Sequence, residues 1–178
     1  MTGLAVPTPA QVAPGNFLTA ALWNANIYNG LTFLLNPPLF HGLQITAQSV
    51  SASTWTAIAL DSTTVDSYGG HSNTTNSSRY TAQVAGWYQV SGVLAINTNA
   101  TGFRAARLQI NGAALPASDS YANNMGTNNT TVTTPTRLVF LNAGDYVELA
   151  GWQNSGGALS TSVLTEFASA LNVLWVHA

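Results

Sequence analysis

A chain of 178 residues is long enough for one domain with a substantial core, or one domain with an arm. Charged residues make up only 6% of it, with four arginines, no lysine, six acids and a formal net charge of −2, so no basic surface can neutralise a run of phosphates and nucleic-acid binding is excluded. There is no cysteine, which removes disulfides and thiolate metal sites.

A solitary soluble domain has about a quarter of its residues charged. Charge keeps free surfaces apart, so this deficit points to an exterior largely covered by copies of the same chain or by other proteins.

Residues 1–15, MTGLAVPTPAQVAPG, hold three prolines and no basic residue. They lack the positive region of a secretory leader and read as an extended arm. From Phe17, apolar or small residues recur at Ala21, Asn24, Tyr28, Leu31 and Leu35 in alternating steps of four and three, which predicts a helix over residues 17–35 with a nearly heptad seam. Asn16 is the expected N-cap, and Asn36 before Pro37 and Pro38 the expected stop. The helix approaches bilayer-spanning length, but Asn24, Asn26 and Asn29 would have to be dehydrated there; burial against protein, where amides find partners, costs less. Phe17, Ala21, Trp23, Tyr28, Leu31 and Leu35 are the candidate attachment or oligomerisation residues.

Beyond Pro38 the texture turns to Thr, Ser, Val and aromatic runs punctuated by Gly, Asn and Asp. Strands are expected over residues 43–50, 54–60, 79–84, 86–97, 103–110, 131–141, 146–153 and 168–177, enough for a β-sandwich or jelly roll. The Asn-Gly of INGAAL (110–115) marks a hairpin, and NAGD (142–145) joins two apolar strands, with Asp145 shaping the turn by accepting backbone N–H bonds. The polar, low-complexity stretches 69–78 and 119–131 read as surface loops.

RYTAQVAGWYQVSGVLAI (79–96), followed by RLQINGAAL (107–115), TRLVFLNAGDYVELAGW (136–152) and SALNVLWVHA (169–178), resembles the jelly roll shared by the complement globular-head and tumour-necrosis-factor superfamily. The resemblance covers residues 42–178 and implies a trimer about a threefold axis with aromatic and aliphatic side chains meeting at the centre; Trp87, Tyr88, Phe140, Trp152 and Trp175 are the candidates for that trimer core. No collagen-like Gly-X-Y stalk precedes the head; the helical segment takes its place. FLTAALWNANIYNGLTFLLNPP (17–38) is similar to a segment in structural proteins of phages infecting actinobacteria, where it precedes variable β-rich regions. That similarity implies a helical collar that trimerises or plugs into the virion.

Little in the chain points to catalysis. His41, His71 and His177 do not fall at metal-ligand spacing, no Gly-x-Ser-x-Gly elbow occurs, and Glu148 and Glu166 stand alone. Asp61 and Asp66 flank one loop and Asp119 lies on another, too sparse a set for the several oxygens calcium requires, so no metal and no cofactor is expected. Trp23, Trp55, Trp87, Trp152 and Trp175 are read as core or trimer interface, with a sugar-stacking platform as the other use of such rings. The sequons at Asn73, Asn76, Asn99, Asn128 and Asn129 matter only in a secretory pathway.

These expectations combine into a mainly β protein with an arm and helix over residues 1–40 and a jelly-roll head over 41–178. Its expected role is non-enzymatic: a homotrimer in a phage virion, assembled in the host cytoplasm, contacting major capsid or tail proteins and, through its loops, a host-surface glycan. Capsid decoration and a tail fibre or tip are both open. The rival is a free carbohydrate-binding jelly roll with no virion.

Overall fold

The computed structural model, which describes residues 4–10 and 13–178, is a mainly β jelly-roll sandwich preceded by one helix. The helix runs without a break through α1 (Ala20–Trp23), a π-helical turn (Asn24–Tyr28) and α2 (Asn29–Leu35). The strands are β1 (Leu39–Leu43), β2 (Ser49–Val50), β3 (Thr56–Ala57), β4 (Ser62–Asp66), β5 (Arg79–Thr81), β6 (Gly86–Ile96), β7 (Phe103–Ile110), β8 (Ala113–Ala114), β9 (Ser120–Asn123), β10 (Thr130–Thr133), β11 (Arg137–Leu141), β12 (Tyr146–Gln153), β13 (Leu159–Ser160), β14 (Val163–Leu164), β15 (Phe167–Ala168) and β16 (Ala170–His177).

One sheet is ordered β10-β6-β16-β1-β4, with β11 continuing β10 along the same edge of β6; every pairing is antiparallel. The other places β12 beside β7 at its centre, flanked by β3 and β5 on one side and β8 and β9 on the other. Between them lie Phe40, Tyr80, Tyr88, Leu94, Ile96, Leu108, Leu141, Leu149 and Leu171, all buried. Along β6, Tyr88, Val90 and Leu94 point inward while Trp87 and Gln89 point out, the period-2 alternation of a half-covered sheet.

Several boundaries differ from expectation for identifiable reasons. Thr19, not Asn16, is the N-cap: its Oγ1 accepts the Leu22 N–H at 3.2 Å. The head's first strand starts at Leu39, with Phe40 in the core, so a division at residues 40 and 41 cuts through β1. The expected strand over 131–141 is broken between β10 and β11, where Pro135 has no N–H to give the ladder. The stretch between Asp61 and Asp66, expected as loop, forms β4, and β9 lies inside the expected loop 119–131.

Both turn readings hold. Asn111 and Gly112 have φ of +52° and +79°, the two left-handed positions of a tight hairpin joining β7 to β8. In the 142–145 turn the Asp145 carboxylate accepts the Asn142 N–H at 2.8 Å and the Asn111 amide N–H at 2.8 Å.

Two carboxylates tie folding to pH. The Asn111 amide holds the Asp145 carboxyl below the ordinary carboxylate range; at Asp61, partial burial opposes ionisation but is outweighed by hydrogen bonds from Thr46 and the Ile45 N–H at 2.7 Å. A depressed folded-state pKa contributes stability above the unfolded value and loses it as pH falls through the folded value. The urea midpoint should therefore be flat from about pH 7 to 5 and fall below about pH 4. Asp61→Asn with Asp145→Asn should flatten that acid limb.

Candidate assembly surface

The helix presents two faces of opposite character. Asn26 and Phe33 turn toward the rest of the chain. Phe33 is buried, edge-on to Trp175 at 4.8 Å and to Tyr68 at 6.3 Å. The arm reinforces this docking. Leu4 N–H donates to Gln83 O at 2.7 Å, and Ala10 N–H donates to Asn26 Oδ1 at 2.6 Å, so one asparagine that spoke against a membrane is paired with protein. Among the described residues no helix is long and apolar enough to cross a membrane.

The opposite face is the predicted seam, and it is bare. On it Leu35 is 85% exposed, and Ala21, Trp23, Tyr28 and Leu31 are exposed as well; Phe17, expected as the first seam residue, lies ahead of the Thr19 cap, outside the helix, and is 91% exposed. The π-helical turn lies in the middle of this seam, where it re-aims the residues on either side. No charged side chain occurs before Asp61, so this surface carries no ionic pattern by which to choose a partner.

A second bare apolar surface lies on the outer face of the β6 sheet, at the end nearest the helix. Phe140 on β11 stands opposite Trp87 on β6, ring centroids 5.9 Å apart and nearly perpendicular, and the two are 48% and 44% exposed. The next row crosses four strands as Leu138, Gln89, Leu174 and Leu39. Leu138 and Leu39 are exposed, and Val176 extends the patch. The row beyond is polar: Ser91, Asn172 and His41, with Asn172 Oδ1 2.6 Å from His41 Nδ1. β1, β6 and β16 contain no Asp, Glu, Lys or Arg. A contiguous uncharged apolar patch of this kind marks a contact surface.

Of the five trimer-core candidates, this face unites two, Trp87 and Phe140. Tyr88 points the other way: it is wholly buried in its own sandwich and donates to Val84 O at 2.6 Å, and burial pushes its hydroxyl up to about 12. It has no surface left for a neighbour. Trp175 is half-buried at the sandwich end, its Nε1 donating to Ala85 O at 3.3 Å and its indole filling the space beside Gly86. Trp152 is on the other sheet. None of the five tryptophans is fully buried in the single chain: Trp23 and Trp87 are exposed, Trp55 and Trp152 are half-buried, and Trp175 packs against the edge of the core. Leu138, Leu174, Leu39 and Val176 were missed, although the alternation of β11 (Arg137–Leu141) pairs Leu138 with Phe140 on one face.

The two loops of interest lie apart. The stretch 69–78 follows Tyr68, which touches Phe33 of the helix, and is pinned by His71, whose ring nitrogens lie 2.7 Å from Arg79 O and 2.8 Å from Leu60 O. The stretch 119–131 lies at the far end of β6, where Asn129 Oδ1 accepts the Thr98 N–H at 3.1 Å. Asp61 and Asp66 are each occupied by backbone N–H groups, and among the described residues no three His, Cys, Asp or Glu side chains converge as a metal site.

No family model matches the chain, and no curated protein matches it in sequence. Solved structures do match in shape. Murine APRIL superposes with a TM-score of 0.55 at 12% identity, over 77% of this chain and 98% of its own. Eiger TNF from S. frugiperda gives 0.53 at 14%, over 79% and 92%. The PRD1 vertex protein P5 gives 0.55 at 16%, over 79% and 97%. At such identities the likeness is one of fold, and the fold of this chain is the tumour-necrosis-factor-like jelly roll.

Proposed function

We propose that this chain is a non-enzymatic structural protein of a phage virion: a homotrimer closed through the outer face of the β6 sheet, with the arm and helix of residues 1–40 as its attachment to the particle. The observation that carries the reading is the pair of bare, uncharged apolar surfaces, Trp87 with Phe140 on the head and the Phe17 to Leu35 seam on the helix. Two such surfaces are more than a small free monomer normally leaves in water. The head face, crossing four strands, suits self-association. The helix seam then faces capsid or tail proteins. The shape shared with a phage vertex protein supports a virion setting. A capsid decoration protein would use the helix alone for contact, whereas a tail fibre or tip protein would also present the head to a host-surface glycan.

Light scattering on the full chain tests the assembly, with a mass of three times 18.6 kDa expected. Tyr28→Asp with Leu31→Asp should keep that mass, yet no longer co-sediment with particles of the phage that encodes it. A monomeric parent overturns the trimer; a double variant that still loads overturns the role of the helix.

A further inference from the structure

The outer face of the second sheet carries a line of aromatic rings that the assembly reading leaves unused. It begins at Tyr121 on β9, passes to Phe103 on β7 at 5.7 Å, to Trp152 on β12 at 5.0 Å, and ends at Trp55, just before β3, at 6.5 Å. The rings are tilted from one to the next by 58°, 31° and 42°, so the strip turns with the sheet. Beneath it Ala105, paired with Tyr121 on one side and Trp152 on the other, is small enough to leave a floor.

The polar groups beside the rings are held ready. The Arg107 guanidinium lies 4.1 Å over the Trp55 ring, and the Gln109 amide oxygen, in the orientation that satisfies its neighbours, accepts from Arg107 Nη2 at 2.7 Å and Nε at 3.2 Å. At the other end Phe103, Tyr121, Ala122 and Asn123 line a hollow of about 350 Å³. Asn123 is exposed there, while its neighbour Asn124 turns away to donate to Gly102 O at 2.7 Å.

We propose that this strip, Tyr121–Phe103–Trp152–Trp55 with Arg107 and Asn123, is a binding site for a neutral glycan chain. A pyranose ring offers an apolar C–H face to an aromatic plane and equatorial hydroxyls to amides and guanidinium groups at its edge. Both kinds of partner are on the strip, at centroid spacings comparable with one hexose repeat. A nucleic-acid strand would also stack on such rings, but Arg107 is the single cation of the strip and the chain is net negative, which leaves its phosphates unmet. A membrane or acidic partner meets the same lack of positive charge. The strip is on the sheet opposite Trp87 and Phe140, so closing a trimer through the β6 sheet leaves it open.

The inference deepens the adhesion reading of the head but does not need the virion. The test is tryptophan fluorescence titration of the full chain with soluble hexasaccharides of glucose (α- and β-linked), xylose, mannose and N-acetylglucosamine. A saturable change with at least one is expected, weakened about tenfold by Tyr121→Ala and by Trp152→Ala and unchanged by Trp87→Ala. Tyr121 is exposed, so its removal leaves the fold intact. No saturable change with any of the five, or binding that survives Tyr121→Ala and Trp152→Ala, overturns the site. The mass measurement separates the two ideas: a trimer that binds no glycan removes only the site, and a monomer that binds one removes only the assembly.

Discussion

A chain carrying Trp87→Asp and Phe140→Asp is expected to scatter light as an 18.6 kDa monomer, against a proposed three times that mass for the parent. The two side chains stand opposite each other across β11 and β6, and about half of each is bare in the single chain. In a trimer closed through this face they become interior, and each aspartate introduced there must be desolvated. No lysine or arginine on β1, β6 or β16 is available to meet it, and Arg137 of β11 alternates to the other face from Phe140. An unpaired buried charge costs on the order of 3 to 5 kcal/mol, and a trimer would bury six of them. In the monomer both positions are half in water, so the dissociated variant should still fold, with an unfolding free energy lowered by about 1 to 3 kcal/mol for the lost aromatic pair and the two like charges set opposite each other. A variant that keeps the threefold mass would move the interface away from the β6 sheet.

The sandwich was legible because its strands alternate. Gly86–Ile96 and Tyr146–Gln153 place apolar residues at every second position over long runs, and the Asn111–Gly112 turn pins the register of the hairpin beside them. The short edge elements were not legible. β4 reads as Ser-Thr-Thr-Val-Asp, which serves a loop equally well and becomes a strand only because β1 offers its free edge. The first strand was misplaced because Pro37 and Pro38 signal a stop for the helix without signalling that the next residue enters a sheet.

The candidate surfaces were half legible. Period 3.6 marked the seam of Phe17, Ala21, Tyr28, Leu31 and Leu35, but the pattern alone does not say whether an apolar stripe faces its own domain or the outside; docking through Phe33 on the opposite face decides it. The resemblance implies that both Trp87 and Tyr88 meet a neighbour, but they are adjacent in one strand, and adjacency there means opposite faces. The aromatic strip joins residues from four separate strands or strand ends, so no local spacing could have assembled Tyr121, Phe103, Trp152 and Trp55.

Arg104→Ala is expected to lower the unfolding free energy by about 3 to 5 kcal/mol, read from urea denaturation. Arg104 is the largest fully buried side chain, and no carboxylate answers it: among the described residues the one ion pair is Arg79 with Glu148 at 3.2 Å. Its partners are backbone carbonyls. Nη1 donates to Thr101 O at 3.0 Å and Phe103 O at 3.2 Å, and Nη2 to Asn99 O at 3.0 Å, while Nε is buried without a partner. Burial lowers the guanidinium from its ordinary pKa, yet arginine stays charged, so three carbonyl dipoles carry the compensation. Alanine removes those bonds and leaves a cavity. Arg104→Met removes the same bonds but fills most of the volume, and should recover about half of the loss. The guanidinium also closes the turn that delivers Phe103, whose N–H is held by Asn154 Oδ1 at 2.7 Å, to the start of the aromatic strip. Both variants should therefore become sensitive to proteolysis between residues 97 and 102 before the rest of the sandwich opens. Unfolding midpoints equal to the parent would mean that the turn holds its shape without the arginine, and that a charge has been buried at a site where a methionine would serve as well.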